Sequence, residues 1–170
     1  PSTEAAAKKH ALYKYMPSKS KFEKLDDAGK MRAIEEAVSK KMQNELSLTE
    51  EQIDKLPQNT LNLLTDYSIN SGGRNLSHMV AFAENSQAFP ESNLHGRATV
   101  KPNLGNLNSF LLDPKNASKI RSSIITASKG GANANSPISQ NNYMENRLNR
   151  LQGVANTPVS NVNTPVSDAN

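Results

Sequence analysis

"DPKNASKIRSSIITASKGG", residues 113–131, is the stretch from which the fold is read. Asp113 has the short acceptor side chain of a helix N-cap, and Pro114 has the fixed φ suited to the first helical position, where its missing N–H costs nothing. Ile120 and Ile124 stand one turn apart and fall on one face. Lys129 complements the negative end of the helix, and Gly130 supplies the left-handed residue that stops it. Cap, stripe and stop agree, so a helix with inward isoleucines is predicted here.

The same signals recur in both directions. Beyond the "GGANAN" linker, Ser136-Pro137 again combines a cap with a first-turn proline, and Met144, Leu148 and Leu151 form a stripe before Gly153, predicting a helix over 137–152. The closing "NTPVSNVNTPVSDAN" repeats Asn-Thr-Pro-Val-Ser at 156–160 and 163–167. It has no large apolar side chain whose burial could offset chain ordering, so it reads as an extended tail, either plain disorder or an arm that orders on a neighbouring subunit or partner.

Toward the N-terminus, Pro90, Gly96, Pro102 and Gly105 interrupt any helical period, and residues 85–112 read as an irregular connector with a short extended piece at 97–101. Before it, a helix starts near Asn75 with Leu76, Met79, Val80 and Ala83 inward. Another runs over 58–70 with Leu61, Leu64 and Tyr67 on one side and Gly72-Gly73 as its end. Thr49 and Gln52 form a capping-box pattern for a short helix. "DDAGKMRAIEEAVSKKMQNEL", 26–46, places Met31, Ile34, Val38, Met42 and Leu46 on one apolar stripe. "STEAAAKKHALYKYMP" predicts a helix over 3–15 closed by Pro17.

The expected fold is therefore all-α: a single orthogonal bundle of about six to seven short helices, with the irregular connector at 85–112 and a flexible C-terminal tail. Its organisation is a basic N-terminal helix at 1–18, a helical domain at 19–154 and the Asn/Pro/Ser tail at 155–170. With 170 residues, one domain is the default. An apolar fraction of 35% and the absence of Trp imply a modest core.

A net charge of +4 favours acidic partners such as nucleic acid, anionic headgroups or cell-wall polymers. Residues 97–150 hold Arg97, Lys101, Lys115, Lys119, Arg121, Lys129, Arg147 and Arg150, faced only by Asp113 and Glu145. Without cysteine, disulfides, thiolate metal sites and a cysteine nucleophile are excluded. No apolar run approaches the length that crosses a bilayer, and no basic-then-apolar leader opens the chain.

Few residues suggest chemistry. His10, His78 and His95 lie in separate segments without a metal-ligand spacing, and no phosphate-binding glycine motif or nucleophile elbow occurs. Asp26-Asp27, Glu35-Glu36 and Glu50-Glu51 are adjacent acids on helices, which point about 100° apart and form solvated faces. No cofactor and no metal are expected. "KKHALYKYMPSKSKFEK", 8–24, interleaves Lys8, Lys9, Lys14, Lys19, Lys21 and Lys24 with Tyr13, Tyr15 and Phe22. Such a segment either meets phosphates and stacks its aromatics, or packs its tyrosines on the domain and turns its lysines to water. Lys115, Lys119 and Arg121 are the second candidate surface for an acidic partner.

"IDKLPQNTLNLLTDYSINSGGR", 53–74, resembles a segment of the bacterial and phage N-acetylmuramidases of the glycoside hydrolase 108 type, lysozyme-like proteins that cleave peptidoglycan. The matching positions are Leu56-Pro57 and the string Asp66, Tyr67, Ser68, Ile69, Asn70, Ser71, Gly72; "NRLNRLQGV", 146–154, is similar to the end of their peptidoglycan-binding portion. The resemblance implies a glycan groove lined by Asp66, Tyr67 and Asn70. Those enzymes carry their catalytic glutamate in a Glu-Gly-Gly motif, and no glutamate here precedes two glycines, so the resemblance implies a non-catalytic relative or fragment.

These readings converge on a non-catalytic helical binding or structural protein of bacterial or phage origin, a virion or assembly component or an exported effector, acting through basic surfaces and a flexible arm. Its partner would be a protein or further copies of itself. The alternatives are a peptidoglycan-binding or peptidoglycan-hydrolysing protein that meets cell-wall glycan, and sequence-independent nucleic-acid binding.

Overall fold

A computed structural model describes residues 11–70, 74–95 and 97–129. Among them every regular element is helical. A 3-10 turn, Leu12–Tyr15, is followed by α1 (Lys19–Glu23), α2 (Asp27–Leu46), α3 (Glu50–Asp54), α4 (Gln58–Asn70), α5 (Leu76–Glu84), α6 (Ser92–His95) and α7 (Leu104–Leu112). A second 3-10 turn, Pro114–Asn116, then leads into α8 (Ala117–Lys129). The core is all-α, as expected from the recurring caps and stops. Among the described residues, no helix is long and apolar enough to cross a membrane.

The decisive stretch folds as its residues dictate. Asp113 accepts the Lys115 N–H at 3.0 Å, Pro114 opens the 3-10 turn, and Ile120 and Ile124 are wholly buried in α8 together with Ala127. α8 packs on α4 and α5, and Ser123 donates across to the Met79 carbonyl at 2.6 Å. α5 sits at the centre, touching α2, α4, α6, α7 and α8. Its Leu76, Met79 and Val80 are completely enclosed, and Asn75 caps it by accepting the Ser77 N–H at 2.8 Å.

α2 starts at Asp26, whose carboxylate accepts the Gly29 N–H at 2.8 Å, and stops at Ser47, which takes the left-handed conformation at φ 53°. Val38, Met42 and Leu46 enter the core, whereas Met31 stays 60% exposed: the apolar stripe runs past the helices that cover it. α3 carries the predicted capping box, Thr49 accepting from the Gln52 N–H at 3.1 Å and Gln52 from the Thr49 N–H at 2.9 Å. In α4, Leu63, Leu64 and Tyr67 are buried and Leu61 is partly so.

Two regions differ from expectation. Residues 85–112, read as irregular, contain α6 and α7. Asn103 caps α7 by accepting the Asn106 N–H, and burial of Leu107 and Leu111 outweighs the roughly 1 kcal/mol that Gly105 costs a helix. Residues 11–18, expected to end an N-terminal α-helix, form only the 3-10 turn and an extended link to α1, which Ser18 caps through the Lys21 N–H. The helix predicted at 137–152 and the tail at 155–170 lie outside the described residues, as do residues 1–10.

Candidate functional site

The basic arm is laid along α2 rather than inserted into the core. The 3-10 turn and α1 both pack on α2, yet neither contains a buried residue. Near one end, Asn44 of α2 donates to the Tyr15 hydroxyl at 2.8 Å. Near the other, the Lys30 ammonium lies over the Phe22 ring at 5.9 Å from its centroid. The two anchors fall fourteen residues apart on α2, so the arm spans about 20 Å along that helix at 1.5 Å per residue. Leu12, Tyr15 and Phe22 face inward and are half-buried, while Lys14, Lys19, Lys21 and Lys24 are exposed. Lys19 meets Glu23 at 3.9 Å, a solvent-exposed pair of little energetic weight. Lys8 and Lys9 lie outside the described residues.

Burial raises the Tyr15 hydroxyl above its ordinary value, opposed by the Asn44 hydrogen bond. Tyr15 thus works as a neutral anchor, with Lys14 5.8 Å from its ring centroid.

Lys115 and Lys119 are also exposed, one turn apart on the 3-10 turn and the start of α8, and Arg121 is half-buried. Their elements pack among α4, α5 and α7 rather than on the arm. The two sets of cations therefore stand on different parts of the bundle.

A cluster that sequence reasoning did not single out lies inside. Lys41 and Glu45 occupy neighbouring turns of α2, and both are buried. Lys41 donates to both Glu45 carboxylate oxygens at 2.9 Å and to the Arg74 carbonyl at 3.0 Å. Glu45 in turn accepts the Leu76 N–H at 2.8 Å. Arg74 donates to the Ala127 carbonyl at the end of α8, and its positive charge acts on the Tyr67 hydroxyl of α4. Burial lowers the Lys41 ammonium against the pull of Glu45, and burial pushes the Tyr67 hydroxyl up to about 12 against the Arg74 guanidinium. The available signal was a Lys/Glu pair at i,i+4 beside Val38, Met42 and Leu46, where a solvated face would be out of place.

The three residues of the glycan-groove expectation sit together at the end of α4. Asn70 is exposed and donates to the Asp66 carbonyl and to its Oδ1, both at 3.1 Å. Asp66 is 7% exposed and Tyr67 3%, the latter within the core. Among the described residues, no three His, Asp or Glu side chains gather where they could hold a metal ion. His78 packs its ring against Phe89 at 5.4 Å between centroids.

No protein-family model, no curated protein and no solved structure matches this chain.

Proposed function

We propose that this chain is a non-catalytic helical binding protein, a structural or accessory component of bacterial or phage origin, that holds an acidic partner against its N-terminal basic arm. The observation that carries this reading is the arm's position: Lys14, Lys19, Lys21 and Lys24 are exposed on a segment that buries none of its residues in the 3-10 turn or in α1. Between Ala11 and Leu25 only Glu23 opposes them. A segment that contributes so little to the core keeps its cations available for a partner, and closely spaced ammonium groups favour polyanions. The inward ionisable groups play a different part: Glu45 caps a helix, Lys41 neutralises it, and the half-buried Arg74 reaches the Ala127 carbonyl of α8. The bacterial or phage origin rests on the resemblance of residues 53–74.

Retention of the full chain on heparin–agarose tests the reading. The wild-type chain elutes at raised salt, and a variant with Lys14, Lys19, Lys21 and Lys24 replaced by Gln elutes early with an unchanged circular dichroism spectrum. Equal retention of the two would overturn it.

A further inference from the structure

We infer that the acidic partner is an anionic lipid surface, on which the arm lies flat with Tyr13 and Leu25 dipping among the headgroups. The inference rests on the arm being the binding surface. It comes from what the arm leaves open. Tyr13 is 59% exposed beside one anchor and Leu25 is 36% exposed beside the other. The exposed Lys19, Lys21 and Lys24 lie between them in the chain, with Lys14 next to Tyr13. Two apolar contacts, one beside each anchor, with ammonium groups between them in the chain match an interfacial layer, where apolar side chains enter the acyl boundary and lysines meet the phosphates.

A nucleic acid fits the same side chains less well. Base stacking needs open aromatic faces. Tyr15 is tied to Asn44 with Lys14 beside its ring, and Phe22 is half-buried under Lys30, so Tyr13 alone offers its ring freely. Leu25, an exposed aliphatic side chain at the foot of the arm, gains nothing from a base and gains burial in a headgroup layer.

Cosedimentation of the full chain with phosphatidylcholine vesicles, with and without phosphatidylglycerol, tests this. The chain should pellet only with the anionic vesicles. Lys19, Lys21 and Lys24 changed together to Gln should weaken partitioning about a hundredfold, at roughly fivefold per lysine. Tyr13→Ser with Leu25→Ser, which alters no charge, should weaken vesicle binding and leave heparin retention intact; neither side chain is in the core, so the variant folds. A chain that stays in the supernatant with anionic vesicles yet still binds heparin, or one that retards a DNA oligonucleotide instead, overturns the lipid assignment and leaves the binding arm standing. A chain that binds neither vesicles nor heparin overturns both.

Discussion

Glu45 reaches from α2 to accept the backbone N–H of Leu76, at 2.8 Å, and so caps α5 from a different helix. Leu76 opens α5, and its N–H is among those that no intrahelical carbonyl can satisfy. A carboxylate there also meets the positive end of the helix. Lys41 makes the arrangement tolerable by holding both Glu45 oxygens and spending its remaining reach on the Arg74 carbonyl. One pair thus ties Arg74 and the start of α5 to α2.

Removing one partner should cost much more than removing both. Glu45→Ala leaves the Lys41 charge in the interior without its carboxylate and the Leu76 N–H without its acceptor, a loss of about 3–5 kcal/mol. Lys41→Met combined with Glu45→Leu removes both charges and should be milder than Glu45→Ala alone. Urea denaturation followed by circular dichroism measures both, and a double variant worse than the single one would contradict the claim that the unpaired Lys41 charge is what makes Glu45→Ala costly.

Alkaline stability should report on Tyr67. Its folded-state pKa, about 12, lies above the ordinary 10.0, so the folded chain holds the phenolic proton more tightly than the unfolded one. That contribution is fully present below pH 10 and is lost as pH rises through 12, on the order of 2–3 kcal/mol. Lys41 acts with the opposite sign: its folded pKa is lowered, so its contribution improves as pH rises toward 10.5 and changes no further beyond it. Above pH 10.5 the tyrosine governs. Thermal melts of wild type and Tyr67→Phe across this range should diverge, the wild type losing stability more steeply with pH.

Thr49→Ala should destabilise the chain by about 1 kcal/mol by freeing the Gln52 N–H at the start of α3. Serine at the same position should restore most of it, since a hydroxyl is what the cap needs. Chemical denaturation resolves a difference of this size, and an alanine variant as stable as wild type would show that α3 is held by Ile53 and Leu56 alone.

A chain that works by binding leaves the turbidity of purified bacterial cell walls unchanged. Clearing of the suspension, abolished by Asp66→Asn, would instead assign Asp66, Tyr67 and Asn70 to a peptidoglycan site and displace the binding arm as the centre of function.

The elements legible in the sequence were those whose end signals and apolar period coincide. α8 has Asp113, Pro114 and an Ile120/Ile124 stripe; α5 has Asn75 before Leu76, Met79 and Val80; α3 has its Thr49/Gln52 box. α7 was obscured because Gly105 sits in its first turn and Pro102 just before it, although Asn103 with Leu104, Leu107 and Leu111 carries the cap and the period. Met31 continued a stripe correctly, but the stripe's length exceeds the packed surface available to it. The exposed lysines of the arm were readable from composition. The Lys41–Glu45 pair left only its i,i+4 spacing beside an apolar stripe as a signal, and its partners Arg74 and Leu76 were hidden because they lie up to thirty-three positions away and are met through backbone atoms.

Salt dependence of heparin affinity, measured by fluorescence titration on the full chain and on variants losing Lys14, Lys19, Lys21 and Lys24 one by one, tests the binding arm most directly. A polyanion held by these ammonium groups gives a log Kd that weakens linearly with log salt, and the slope becomes shallower with each lysine removed. A slope that stays the same when all four lysines are glutamine would mean the arm does not hold the partner.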